Sequence, residues 1–440
     1  MTGRLVDALV TTEALDAIFA DAAVLQALLD VEAALARAAA RVGLVPAEAA
    51  EAVTRACSEP AALDLATVVA KAADAGNPVP PLVRVLQAAV GERAAVAVHV
   101  GATSQDVLDT ALVLLARRAL GAIDADLAAA AAAAARLSET HRDDFVMGRT
   151  LLQQGLPTTF GLKAAVWLSG LDGARARLRS VDAALPVQYG GAVGTLVASS
   201  GRGVELREAL AAELGLAPTA VPWHTVRLPI ADLAGALGAA AGAVATVAVD
   251  VVLMAQTEVG EVAEVAPGRG GSSAMPHKNN PVAAISARAC ARRAPGLVAT
   301  LLAAMEQEHE RAAGAWHSEW PTLTELLTTV GSAAAWLAES LAVLRVDADR
   351  MAATVAEAAE PALAQRVTES LGDTLGRAAA HEAVAEAARR AREAGLPLAA
   401  VLAESVDPEL LEAGGPDVGE AGRQVDAVLA EHKAFVEENP

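Results

Sequence analysis

The stretch from Asp109 to about Ser138, DTALVLLARRALGAIDADLAAAAAAAARLS, holds eight consecutive alanines between periodic leucines. Taken alone, an alanine run is open to interpretation as low-complexity disorder. Alanine has the highest helix propensity of any residue, however, and the flanking leucines recur at helical spacing. The stretch therefore predicts one long helix.

The same periodicity covers most of the chain, and we find no stretch with the period-two alternation of a half-buried strand. Further long helices are predicted over residues 12–42, 158–185, 230–262, 282–312 and 322–344. Breaks are predicted at Ala75–Pro81, after which a helix restarts near Leu82, and at Gly395–Pro397 and Gly414–Pro416. The chain is therefore expected to be all-α, with a bundle of long central helices.

Composition limits the classes of function. Hydrophobic residues make up 54% of the chain and aromatic residues only 2%, as expected for closely packed alanine- and leucine-rich helices. The formal net charge of −20 argues against nucleic-acid binding, which needs clustered lysine and arginine. An anionic substrate remains compatible with this charge, because a few local cations and helix N-termini can hold it.

Cellular location is indicated by three features. Cys57 and Cys290 each lie in an alanine-rich helical stretch, which favours buried free thiols in a reducing compartment. The N-terminus lacks the apolar segment of a secretory signal. Leu233–Val249 is uncharged but short, rich in alanine and glycine, and bracketed by aspartates, so we interpret it as a buried central helix rather than a membrane span. We expect a cytoplasmic protein with no membrane partner.

The run Gly271–Asn280, GSSAMPHKNN, closed by Pro281, is the strongest functional signal. A serine hydroxyl is too weak a base for a carbon acid unless nearby positive charge and N–H dipoles stabilise its alkoxide. The run resembles the signature loop of the fumarase/aspartase superfamily, whose members make and break C–X bonds beta to a carboxylate. A simple Gly-Ser-Ser turn before a proline-initiated helix is the alternative. The resemblance implies that the catalytic residues are Ser272, Lys278 and Asn280, with Ser273 and Met275 in contact with the substrate.

Two upstream motifs extend this resemblance over most of the chain. The first, HVGATSQD at His99–Asp106, resembles the superfamily segment that hydrogen-bonds a substrate carboxylate, and it implies substrate contacts by Thr103, Ser104, Gln105 and Asp106. The alternative for this motif is that Thr103 or Ser104 merely caps the next helix. The second, GRTLLQQGLPTTFG at Gly148–Gly161, implies substrate contacts by Arg149, Thr150 and Gln153. Arg227 is expected to bind a carboxylate as well.

The chain departs from the superfamily pattern at three positions. Many members carry a histidine that acts as acid and base at the position of Leu151, and leucine cannot transfer a proton. A second histidine, found in adenylosuccinate lyases, is replaced by the stretch around Asn77. Asn279 stands where related members often have arginine, which leaves the substrate open.

The departures favour a reaction whose leaving group needs no acid. The best match is the lactonising cycloisomerase branch of the superfamily, in which a substrate carboxylate adds across its own alkene through an enediolate. Rivals are a lyase releasing fumarate from a substituted succinate such as nitrosuccinate, then adenylosuccinate lyase, and last a non-catalytic crystallin-like protein. The resemblance also implies a small di- or tricarboxylate substrate, a homotetramer with active sites shared between subunits, and helical domains at 1–108, 109–355 and 356–440. No metal or organic cofactor is expected, because the histidines and cysteines show no ligand spacing.

Overall fold

Helices dominate the computed structural model, which describes residues 7–271, 275, 278–357, 359–404, 406–407, 411 and 417–439. The all-α prediction is confirmed. The helices of the first half are α1 Glu13–Ile18, α2 Asp21–Arg41, α3 Ala47–Ser58, α4 Leu65–Ala72, α5 Val79–Val90, α6 Glu92–Ala95, α7 Ser104–Thr140, α8 Phe160–Ala184 and α9 Gly203–Leu214. Those of the second half are α10 Leu228–Met254, α11 Val282–Ala291, α12 Ala294–Ala303, α13 Ala315–Ala342, α14 Ala348–Glu357, α15 Ala359–Leu375, α16 Arg377–Ala394, α17 Leu398–Leu402 and α18 Ala421–Glu438.

Two short antiparallel pairs of strands accompany the helices. The hairpin of β1, Phe145–Thr150, and β2, Gln153–Thr159, lies between α7 and α8 in the chain. Strands β3, Val262–Glu264, and β4, Leu344–Val346, form the second pair. The hairpin of β1 and β2 contains most of the second motif, and β3 precedes the Gly271–Pro281 loop in the chain.

The chain divides into two compact units. The first contains Met1–Ala129, Gly173–Ala248 and Ala284–Ala338, and the second contains Ala130–Asp172, Val249–Ala283 and Glu339–Pro440. This division was not predicted, and the three helical domains expected from the sequence remain a prediction.

Each unit has a core of small and branched apolar side chains. In the first unit, α2 packs against α3 and α9, and Leu28, Leu82 and Leu115 are completely buried. Burial of each such side chain stabilises the fold by about 1.5–3 kcal/mol. In the second unit, α15, α16 and α17 bury a cluster that includes Val367 and Val384.

Both cysteines are buried free thiols, as predicted. Burial, with a smaller contribution from the charge of Glu32, raises the pKa of Cys57 to about 12. This thiol therefore stays protonated at neutral pH. Among the described residues, α10 alone is long and apolar enough to cross a membrane, and 44% of its most apolar window is buried within the fold.

Several predicted helix boundaries were wrong, for identifiable reasons. The helix expected over 12–42 is two helices: Thr12 caps α1, and Ala20 takes an extended conformation before α2. The helix expected over 282–312 is interrupted after Ala291, because a proline occupies the first turn of α12 and has no N–H to continue a preceding helix. That region also stops being helical at Ala303.

The other differences concern the positions at which the predicted helices begin or end. The helix expected over 230–262 ends at Met254, and the residues after Gly260, which has a φ of 65°, enter β3. Helix α13 begins at Ala315 rather than Thr322 and carries Pro321 inside it. The restart expected near Leu82 begins at Val79. The break at Gly395 is confirmed, whereas Gly414–Pro416 lies outside the described residues.

Candidate active site

The first motif forms the N-terminus of α7. Thr103 directly precedes the helix, and its backbone N–H donates to the Asp106 carboxylate at 2.9 Å. This is the returning half of a capping box, in which the third helical residue reaches back to the cap. The Thr103 hydroxyl does not cap the helix; it accepts a hydrogen bond at 2.7 Å from Arg311.

Asp106 ties together three segments of the first unit. It is buried, and it accepts hydrogen bonds from the backbone N–H groups of Gly190 at 3.0 Å and Gly191 at 2.9 Å. The His224 ring nitrogen Nε2 lies 2.7 Å from the same carboxylate. With these partners and Thr103, Asp106 has no face left for a substrate. Its predicted role as a substrate ligand does not fit this geometry.

A second buried network surrounds Arg227. The guanidinium donates to Asp109 at 2.8 and 3.1 Å and to Glu319 at 2.6–3.1 Å, and it stacks over the Trp223 ring at 4.6 Å. Its side chain is only 1% exposed. Arg227, directly before α10, therefore links α7 to α13 through these two carboxylates. Because the carboxylates occupy its donors, Arg227 does not fit the predicted role of a ligand for the substrate carboxylate.

Gln105 belongs to the same network. Its amide group donates to Asp109 at 3.2 Å and to the His224 carbonyl at 2.9 Å, and the side chain is fully buried. This geometry does not fit its predicted contact with the substrate either. Of the four residues predicted in this motif, Thr103 and Ser104 remain half-buried and accessible.

Arg311 is a residue that the sequence analysis missed. Besides its bond to Thr103, it donates to the Ala192 carbonyl at 2.9 Å, so it fixes the loop that follows Gly191 beside the start of α7. A cation therefore lies next to the Thr103 hydroxyl. The only sequence signal was its position in the stretch QEHERAAG, and nothing in that stretch indicates a contact 208 residues away.

The second motif forms the hairpin of β1 and β2, within the second unit. Arg149 makes a two-pronged ion pair with Glu261, at 2.8 and 2.7 Å, and its side chain remains 24% exposed. Glu261 is fully buried. The pair fixes the Arg149 head group near the end of β1, and planar Arg–carboxylate geometry of this kind is strongly orienting.

The tip of this hairpin is a two-residue turn made by Leu151 and Leu152. Both have positive φ, 51° and 64°, and their exposures are 96% and 72%. Such a turn normally requires Asn-Gly or a similar pair, because β-branched and bulky residues are strained at positive φ. Thr150 and Gln153 pair across the turn and are exposed. The turn therefore presents two leucines in a costly conformation, flanked by two predicted substrate ligands.

The third motif is a loop that is closed at its base. Gly271 and Asn279 form an isolated antiparallel bridge, and the backbone N–H and side-chain amide of Asn280 both donate to the Gly270 carbonyl at 2.9 Å. Gly270 has a φ of 78°, and a Cβ there would lie 2.6 Å from Asn279 and Asn280 atoms. Only glycine fits this position.

Asn279 has a structural role in this base. Its side-chain amide donates to the Glu264 carbonyl at 2.6 Å, which fastens the loop to β3. Lys278 and Met275 are exposed, and the Lys278 backbone N–H donates to the Met275 carbonyl at 3.0 Å. Ser272 and Ser273 lie outside the described residues. In the described part of the chain, no three His, Cys, Asp or Glu side chains are grouped to hold a metal ion.

An all-α chain with these three motifs is an enzyme of the fumarase/aspartase superfamily. Residues 7–296 match the family model described as Lyase, and the chain belongs to that family. It is 44% identical over 447 residues to a 3-carboxy-cis,cis-muconate cycloisomerase of Pseudomonas aeruginosa, with 98% of this chain and 97% of the relative covered.

Two further relatives frame the comparison. A nitrosuccinate lyase of Streptomyces davaonensis is 46% identical over 407 residues, covering 90% of this chain and 85% of the relative. The crystal structure of the 3-carboxy-cis,cis-muconate lactonizing enzyme from Pseudomonas putida has a TM-score of 0.87 and 38% identity, and the match covers 98% of this chain and 99% of that one.

Proposed function

We propose that this enzyme converts 3-carboxy-cis,cis-muconate into a carboxymuconolactone. The observation that carries the proposal is the end-to-end similarity to cycloisomerases, which covers 98% of this chain and 97–99% of the relatives. The exposed leucine turn supports it, because the position of the usual acid holds a side chain without a proton to give. Lactonisation tolerates this loss, since the group that departs in the reverse direction is a carboxylate.

The reaction is an isomerisation that takes up one proton as the trianion becomes a dianionic lactone. One substrate carboxylate oxygen forms a C–O bond to an alkene carbon, and the displaced electron pair moves to the carbon beside a second carboxylate, giving an enediolate. Ser272 then protonates that carbon and regains its proton from water. In reverse, the Ser272 alkoxide removes the same proton and the ring C–O bond breaks.

The proposed roles follow the chemistry of the side chains. Lys278 is exposed and supplies a positive charge to the enediolate. Thr103 and Ser104 donate to a substrate carboxylate at the start of α7. Asn280 donates to the Gly270 carbonyl at the base of the loop, so its proposed contribution is to position the loop that carries Ser272 and Lys278. Arg149, Thr150, Gln153, Ser273 and Met275 remain proposed substrate contacts.

We also propose a homotetramer in the cytoplasm, with the three motifs of each active site contributed by different subunits. Leu151 and Leu152 support association. Two adjacent exposed leucines in a strained turn add no stability to a monomer. Sedimentation at micromolar concentration tests this state. A monomer that is fully active contradicts it.

A lyase acting on nitrosuccinate is the second candidate, and one specific observation favours it. The nitrosuccinate lyase relative is as similar in identity as the cycloisomerases. Nitrite is also a good leaving group that needs no acid. Asn279, which is fastened to the Glu264 carbonyl, supplies no charge that would select between the two substrates.

A direct assay separates the two. Loss of the conjugated-diene absorbance of 3-carboxy-cis,cis-muconate, with release of lactone, supports the cycloisomerase. Stable diene absorbance together with fumarate release from nitrosuccinate supports the lyase. With the preferred substrate, Ser272→Ala is expected to abolish turnover while leaving folding and ligand binding intact; a fully active variant overturns the role of Ser272.

A further inference from the structure

The ion pair between Arg149 and Glu261 ties the second motif to the start of β3. Glu261 directly precedes β3 and has no solvent exposure. Its two carboxylate oxygens accept hydrogen bonds from Arg149, one from Nη1 at 2.8 Å and one from Nη2 at 2.7 Å. The Met147 carbonyl accepts a longer bond from Nη1, at 3.4 Å. The terminal edge of the guanidinium, which carries Nη1 and Nη2, is therefore occupied by groups of the fold.

The other edge of the guanidinium is open. In the part of the chain that the structure describes, Nε of Arg149 has no hydrogen-bond partner, yet the atom is not enclosed and keeps contact with solvent. Nε–H and the second N–H of Nη2 point the same way from the planar group, in the fork geometry that takes a carboxylate at two points. Arg149 can thus hold a buried carboxylate on one edge and a second carboxylate on the other.

The backbone on both sides of the ion pair holds this arrangement. A β-bulge lies directly before Arg149 in the hairpin, and bulges change the direction in which a side chain points. At Gly148, inside the bulge, a Cβ would lie 2.7 Å from the Leu156 carbonyl oxygen, so glycine is required there. On the other side, the Asp347 N–H donates to the Glu261 carbonyl at 2.9 Å. Both partners of the pair are therefore anchored through their backbones.

The charge balance of the pair defines what Glu261 contributes. A guanidinium with an unbalanced charge would attract any anion, whereas one that is paired with a buried carboxylate discriminates through the geometry of its remaining N–H groups. Removing the charge of Glu261 would therefore have two opposite effects. It would leave Arg149 more positive, which favours an anion, and it would release the guanidinium from its orientation, which weakens a two-point contact.

We propose that Glu261 is a positioning residue for the reaction: it holds the terminal edge of Arg149 so that the Nε edge is presented to a carboxylate of the substrate. Glu261 is buried and acts only through Arg149. This inference rests on the proposed function for the identity of the substrate, but not for the binding of a polycarboxylate. It gives the hairpin an oriented cation beside the exposed Thr150 and Gln153.

The test compares the KM and kcat for 3-carboxy-cis,cis-muconate in the wild-type protein and in Glu261→Gln. Glutamine keeps the size of the side chain and one acceptor oxygen, but its amide N–H₂ group faces an arginine N–H, so the fork cannot close. The KM is expected to rise about tenfold, because an oriented, charge-assisted contact is lost. The kcat of the folded enzyme should change little, because the contact is made both before and during the reaction.

Arg149→Lys is the second variant, and it keeps the buried carboxylate paired with a cation. Lysine can bind Glu261 but has no second edge for the substrate, so the KM should rise as it does in Glu261→Gln. This variant decides the question by itself if Glu261→Gln does not fold. Combining the two substitutions should raise the KM no further, because both remove the same contact. An additive increase would show that the two residues act separately, and would overturn the inference.

Asp426→Asn is the matched control. Arg142 forms a fork of the same kind with Asp426, at 3.0 and 2.7 Å, in the same unit of the chain. Neither residue has a proposed contact with the substrate, so the variant should keep the wild-type KM. An increase equal to that of Glu261→Gln would show that loosening any fork in this unit disturbs the site, and the specific role of Glu261 would be lost.

The outcomes separate this inference from the proposed function. If the wild-type protein does not turn over 3-carboxy-cis,cis-muconate, the proposed function fails, and the dissociation constant of citrate, measured by calorimetry, replaces the KM. An increase of the constant in both variants supports the inference. A decrease in Glu261→Gln, as expected if Glu261 only balances the charge of Arg149, overturns it. So does an unchanged constant with less active enzyme, or a wild-type protein that neither turns over the muconate nor binds citrate.

Discussion

The segment Thr103–Asp106 and the turn Thr150–Gln153 were predicted for the same task, yet they are built in opposite ways. In the first, Gln105 and Asp106 are buried and hydrogen-bonded to other parts of their unit. In the second, the four residues are exposed and the two central ones are strained. A motif that resembles a binding site therefore contains both buried residues that hold the fold and residues that are accessible to a substrate.

The difference has a physical origin. Buried polar groups must be hydrogen-bonded, and a carboxylate with four partners gains stability that would be lost if a substrate displaced them. An exposed turn has no such constraint, and its strain is tolerated only if something else rewards it. The first segment thus stabilises the fold, and the second is available to a ligand or to another subunit.

The largest effect is expected from breaking the network beneath the first segment. Arg227→Met leaves Asp109 and Glu319 buried without their cation, and losing one partner of a buried ion pair costs roughly 3–5 kcal/mol. The urea midpoint should fall accordingly. Arg389→Ala, which removes exposed helical pairs with Glu386 and Glu393, is the control and should leave the urea midpoint nearly unchanged. Equal effects of the two variants would refute the scaffold role.

A smaller effect is expected at the centre of the segment itself. Asp106→Asn keeps the shape but weakens the acceptor for His224, Gly190 and Gly191, at a cost of roughly 1–3 kcal/mol. Citrate, a tricarboxylate, serves as a probe of the substrate site. If Asp106 only stabilises the fold, the affinity for citrate at 10 °C should stay within about threefold of wild type, because the folded protein retains Thr103 and Ser104. A large loss of affinity in a well-folded variant would restore Asp106 as a ligand.

The smallest effect, and one of opposite sign, is expected at the hairpin turn. Replacing Leu151 by Asn and Leu152 by Gly supplies the residues that this turn prefers, so the double variant should gain about 1 kcal/mol in stability. Turnover should fall, because the strain is retained for function. Thermal unfolding and kcat/KM check the two signs. A variant that loses stability would contradict the strain assigned to this turn.

The helices and the loop could be predicted from local signals, but the partners could not. The alanine run and the leucine spacing indicated α7 because helix propensity is local. The break before α12 had a local signal in Pro295, but helical periodicity alone predicted an unbroken helix over 282–312. No local signal marked the leucine turn, which contains neither asparagine nor glycine. The bonds of Asp106 to His224 and of Thr103 to Arg311 span 118 and 208 residues, and spacing carries no information at that range.

Lactonisation through an enediolate is tested most directly by running the reaction in D₂O and locating the deuterium in the product by NMR. The expected product is a carboxymuconolactone with one solvent-derived deuterium on the carbon beside the activating carboxylate, and Ser272→Ala should form no such product. Unchanged 3-carboxy-cis,cis-muconate, or a lactone without deuterium bound to that carbon, would contradict it.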